Sequence, residues 1–201
     1  MLEPMSRANR YGDQGFTIIE LLTAVAIAAI LIAIAAPSFN EFLAKRRVEG
    51  TTSELVTDMQ FARSEAVSRN APVRITFGSG CYVIHLKSVT VDADPPTCET
   101  DPADSDIKTV RIDASRLFLK PEGGLRYFEF DPVRGTAAND LKSPGNGRIE
   151  VCVANASRDG CGTAAHDWKL MVVLTLLGRV ETCSPSGTGY MYGYSNSCTA
   201  S

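Results

Sequence analysis

Apolar and polar positions change their rhythm twice along this chain. From Phe16 to Ala36 almost every position is apolar, and Glu20 is the only charge in the run. A helix over that stretch is roughly 31 Å long at ~1.5 Å per residue, enough to cross the hydrocarbon core of a bilayer. Pro37 follows, where a helix loses a hydrogen bond and bends. Beyond it Val48, Thr52, Leu55, Met59, Ala62 and Ala66 recur at spacings of three and four, one apolar stripe of a helix with a 3.6-residue period. Arg46, Glu49, Glu54, Asp58, Arg63, Glu65 and Arg69 form the opposite, solvent-facing side. The pattern predicts a single helix to about Asn70, ended by the Ala71-Pro72 step.

After Pro72 the period falls to two. Val73, Ile75 and Phe77 alternate with Arg74 and Thr76, and Cys81–Leu86 follows the turn residues Gly78-Ser79-Gly80, which predicts a β-hairpin. Further strands are predicted at 107–112, 117–119, 125–130, 149–153, 169–175 and 179–183, separated by Gly, Pro and Asn clusters. A long helix followed by strands with short links is an α+β arrangement, the helix packed on an antiparallel β-sheet domain.

Glu20 is the residue that needs a reason. A carboxylate within a membrane-spanning helix costs on the order of 2.5–3.5 kcal/mol on insertion scales. A cut between Gly15 and Phe16 supplies that reason, because the new α-amine on Phe16 lies four residues before the carboxylate. Between packed helices, the amine of one subunit then neutralises Glu20 of its neighbour and sets their axial register. The run Gly15-Phe16-Thr17-Ile18-Ile19-Glu20-Leu21-Leu22, after a polar leader and before an apolar helix, resembles the type IV pilin and type II secretion pseudopilin class. That resemblance implies the pilin fold. It also implies cleavage after Gly15 by a prepilin peptidase, N-methylation of Phe16, and assembly with other pilins through the N-terminal helix, with Glu20 as the assembly residue.

Three further places are similar to the FimT/FimU/GspH family of minor pilins and pseudopilins. They are Phe61-Ala62-Arg63-Ser64-Glu65-Ala66 on the helix, the turn Phe130-Asp131-Pro132-Val133-Arg134-Gly135, and Leu176-Leu177-Gly178-Arg179-Val180. In the second, the arginine stands before the glycine and not after it. The resemblance divides the chain into a leader (1–15), a membrane and filament-core half-helix (16–37), an amphipathic half-helix (38–71) and a periplasmic domain (72–201). It implies a minor pilin of a type IV pilus, held in the bacterial inner membrane and then drawn into the fibre, with a GspH-like pseudopilin or a DNA-uptake receptor as alternatives. Some FimT-like members bind DNA through Gly-Arg-x-Arg. Here the motif reads Gly178-Arg179-Val180-Glu181, so one phosphate attractor is replaced by a repeller and only Arg179 remains as a DNA contact.

Composition agrees with this picture. The net charge of −3 draws the chain to no polyanion. Cys81, Cys98, Cys152, Cys161, Cys183 and Cys198 all follow the apolar run, and none forms a Cys-x-x-Cys pair. An even count in the exported part reads as disulfides of an oxidising compartment. Of the 15 pairings six cysteines allow, spacing favours 81–98, 152–161 and 183–198. Against export, Lys45, Arg46 and Arg47 follow the span while only Arg7 and Arg10 precede it, a small excess that the positive-inside rule would place in the cytoplasm. His85 and His166 lack partners at metal-ligand spacing. Asp92, Asp94, Asp101, Asp104 and Asp106 lack the spacing of a Ca²⁺ loop, and no nucleophile elbow is present. No cofactor, metal or enzymatic activity is expected. Tyr190, Tyr192 and Tyr194 alternate as one face of a strand would.

Overall fold

The computed structural model describes residues 15–78, 80–87, 106–140, 147–155, 160–162, 167–187 and 189–198. The chain divides into two units, Met1–Asn40 and Glu41–Ser201. Helix α1, Ile18–Arg69, contributes to both and continues through Pro37. In the first unit its stretch Ile18–Ala36 is long and apolar enough to cross a membrane, with none of it buried in the protein. Asn70, in the left-handed region at φ 48°, ends the helix.

The second unit wraps two antiparallel sheets around the helix stripe. One sheet has the order β3-β2-β1-β5-β6 and the other β4-β7-β8-β9. In chain order the strands are β1 Val73–Gly78, β2 Cys81–Leu86, β3 Asp106–Arg111, β4 Leu117–Pro121, β5 Tyr127–Phe130, β6 Ala137–Asn139, β7 Gly147–Val153, β8 Lys169–Leu174 and β9 Val180–Cys183. The expected hairpin is present, with Gly78 opposite Cys81. Every predicted strand is found within a few residues of its expected bounds. The antiparallel sheet is split in two, and β6, with its Ala-Ala-Asn sequence, carries no apolar alternation that could have announced it.

Val48, Leu55, Met59, Ala62 and Ala66 are fully buried, with Thr52 beside them. They meet Val73, Ile75, Tyr82, Ile84, Phe128 and Phe130 from the first sheet, and Ile149, Val151, Leu170, Val172 and Leu174 from the second. Removing side chains of this size from water contributes ~1.5–3 kcal/mol each. Strand β8 reads as an unbroken apolar run because it is covered on both faces. Leu170, Val172 and Leu174 join the main core, while Met171 and Val173 pack with Cys183 and Cys198 on the other side.

The expectation fails at Asp58. It was assigned to the solvent face of the helix, yet it is 4 % exposed. Tyr82 donates to its Oδ2 at 2.7 Å, and the Lys108 ammonium donates to both its oxygens at 2.6 and 2.8 Å. Burial, and then the Asp58 carboxylate, push the Tyr82 hydroxyl far above its ordinary range, so it stays a donor. Asp58 lies three residues after Leu55 and one before Met59, so a small rotation of the stripe brings it under β2 and β3.

Candidate functional site: the helix start and a three-segment junction

At the start of α1, Thr17 acts as the N-cap. Its carbonyl accepts the first helical bond from Leu21 N–H at 3.1 Å, and its Oγ1 accepts from Glu20 N–H at 3.3 Å. Thr17 and Glu20 therefore stand as the first and last residues of a Thr-x-x-Glu capping pattern. This places the Glu20 carboxylate in the first turn, where the positive end of the helix dipole favours a negative charge. By the sequence alone, Glu20 pairs only with a neighbouring subunit. The capping pattern was legible in the same eight residues but was masked by the apolar run around it. Phe16 and Glu20 are both exposed, like the rest of the stretch to Ala36. Residues 1–14 of the expected leader lie outside the described residues.

The three other motif segments, far apart in sequence, meet at one guanidinium. Arg63 on α1 donates through Nη1 to the carbonyl of Gly178 at 3.4 Å. A methyl group on Gly135 would lie 3.0 Å from Arg63 Nη2, and one on Gly178 would lie 2.6 Å from the Gly135 carbonyl oxygen. Both glycines are left-handed, at φ 63° and 76°, a region L-residues enter only at a cost. Asp131 closes the first turn by accepting from Val133 N–H at 2.8 Å and Arg134 N–H at 2.7 Å, which hold its carboxyl below the usual range. Thr175 closes the second, its Oγ1 accepting from Arg179 N–H at 3.1 Å. Ala137 N–H donates to the Leu176 carbonyl at 2.9 Å, joining the two turns. The motifs thus serve one packing junction, which presents Val133 and Leu177 to solvent.

Arg179 is 72 % exposed at that junction, with its Nε 3.1 Å from Glu181 Oε1. The Glu181 carboxylate offsets part of its charge. The tyrosines do not form a strand face. Tyr190 and Tyr192 meet edge to face at 5.3 Å in a loop, and Tyr192 points to solvent. Disulfides join Cys152 to Cys161 and Cys183 to Cys198, as spacing favoured. Cys81 is also disulfide-bonded, and Cys98, its expected partner, lies outside the described residues. His85 is buried in the sheet. One ring nitrogen is 2.8 Å from Thr76 Oγ1 and the other 3.0 Å from the Leu86 carbonyl, and burial holds the ring below its ordinary pKa. His166, Asp92, Asp94, Asp101 and Asp104 lie outside the described residues. Among the described residues no three His, Cys, Asp or Glu side chains group as a metal site.

The family model described as type II transport protein GspH matches residues 51–178, and that of the prokaryotic N-terminal methylation motif matches residues 10–36. A fimbrial protein of Neisseria meningitidis serogroup B is 29 % identical over 141 residues, 64 % of this chain and 81 % of that protein. Two crystal forms of the type IV minor pilin FimU of Pseudomonas aeruginosa, each 18 % identical, align with TM-scores of 0.49 and 0.46. They cover 74 % and 71 % of this chain, and 99 % and 100 % of theirs.

Proposed function

The chain belongs to the family of the type II transport protein GspH, and from that premise we propose that it acts as a minor pilin of a type IV pilus. It is a membrane-anchored component that assembles with other pilins. A peptidase cuts between Gly15 and Phe16, Phe16 is N-methylated, and the helix leaves the inner membrane for the filament core while the disulfide-bonded domain faces outward from the periplasmic side. A place in the tip or priming complex fits a subunit whose work is assembly and not chemistry. The observation that carries this reading is the exposed apolar stretch Ile18–Ala36 of α1, whose one charge, Glu20, lies in the first turn just after a Gly-Phe junction.

Glu20 then has two duties that substitutions separate. Glu20→Gln keeps a polar side chain at the capping position but removes the charge, whereas Glu20→Ala removes both. Both variants are expected to be cleaved normally, and both to be missing from sheared pili. Glu20→Gln at wild-type abundance in the sheared fraction would show that capping, and not the charge pair, is what assembly requires.

The family's own description favours a second reading, a pseudopilin of a type II secretion system, with the same processing and helix packing. Deletion of the gene separates the two: lost twitching and surface pili mark the pilus, and retained exoproteins mark the secretion machine. DNA uptake is disfavoured by Glu181. A gel shift of the full chain at low salt that disappears in Arg179→Ala would restore it.

A further inference from the structure

Three arginines from three separate places in the fold line one open groove of about 430 Å³: Arg47 on α1, Arg111 at the end of β3, and Arg116 in the turn before β4. Glu54 and Asp113 also line it, so its charged side chains sum to a positive charge. Asp113 is already engaged, accepting from Ser115 N–H at 3.0 Å and from the Ser115 hydroxyl, with Arg116 Nε 3.2 Å from its Oδ2. These donors hold its carboxyl below the usual range, the Ser115 hydroxyl first among them.

Gly50 also lines the groove. It sits inside α1, where glycine in place of alanine costs roughly 0.5–1 kcal/mol. Neither conformation nor packing calls for a glycine there: its φ is not positive, and an added methyl would have no heavy atom within 4 Å. The missing side chain leaves open space beside the helix backbone in this groove. A glycine at such a position permits close approach of a ligand to the backbone. Guanidinium groups present planar, bidentate donors suited to phosphate, and a tetrahedral oxyanion can accept from three directions at once where a planar carboxylate accepts from two.

We propose that the groove lined by Arg47, Gly50, Arg111 and Arg116 binds a phosphate-type oxyanion. The headgroup of an anionic phospholipid and a soluble phosphate share this chemistry.

The test uses the full chain in a non-ionic detergent and in phosphatidylcholine discs, titrated calorimetrically with inorganic phosphate at fixed ionic strength. Saturable binding is expected, weakened at least tenfold in the Arg47→Gln/Arg116→Gln double variant. In Gly50→Gln a good helix former occupies the groove, so the thermal midpoint should be held or raised while phosphate binding falls at least fivefold. Discs containing phosphatidylglycerol identify the source. A midpoint that rises with this lipid in the wild type but not in the double variant assigns the site to headgroups, and no lipid-dependent difference assigns it to soluble phosphate. Absence of saturable heat in both media, or wild-type affinity in the folded Gly50→Gln and double variants, overturns the proposal.

Discussion

At Gly178 a single methyl group would meet a backbone carbonyl that cannot move without breaking the turn that holds it. Gly178→Ala is therefore expected to destabilise the domain by more than about 2 kcal/mol, the sum of left-handed strain and a displaced turn. A denaturant melt measures this. Arg63→Lys tests the other side of the same contact, because an ammonium cannot span two turns as a planar guanidinium does. His85 carries a pH dependence. Its ring is held neutral in the fold, so above about pH 7 it costs nothing. Below its ordinary value of 6.5 the unfolded chain takes up a proton that the folded one resists, and stability falls as pH drops through that value towards the lowered one. The thermal midpoint should fall between pH 7.5 and 5.5, and fall less in His85→Gln. An equal slope in both would remove His85 as the cause.

At the scale of elements, the helix stripe was legible because six positions at spacings of three and four all turned out buried, and the strands because their apolar alternation survived. Sequence periodicity could not show that Asp58 belongs inside. A carboxylate is assigned to water by default, and its partners Tyr82 and Lys108 come from strands that only the fold brings over the helix. The result is a polar latch between α1 and the first sheet. Lys108 is partly exposed, which moderates the cost of breaking it. Asp58→Ala should still lose about 2–3 kcal/mol through a charge-assisted hydrogen bond and an orphaned hydroxyl, and Tyr82→Phe about 1 kcal/mol. Urea unfolding of the two variants and their double mutant gives the coupling between them. Additive losses would show that the latch is not a unit.

Across the whole molecule, the parts resembling pilins divide by scale. The apolar helix and its lone acid are contiguous in sequence and could be read there. The junction of Arg63, Gly135 and Gly178 could not, since its members are motif residues up to 115 positions apart and only the fold shows that they touch. The basic residues after the span, which opposed export by charge count, have roles within the folded unit. Lys45 lies over the Trp168 ring at 5.8 Å, and Arg46 lies over Phe42 and bonds Glu49. The proposed cut before Phe16 would convert an expensive acid into half of an ion pair. Intact-mass spectrometry of the protein recovered from sheared fibres tests this most directly. The expected mass is that of a chain beginning with N-methylated Phe16, and assembled fibres containing the chain with residues 1–15 still attached would contradict it.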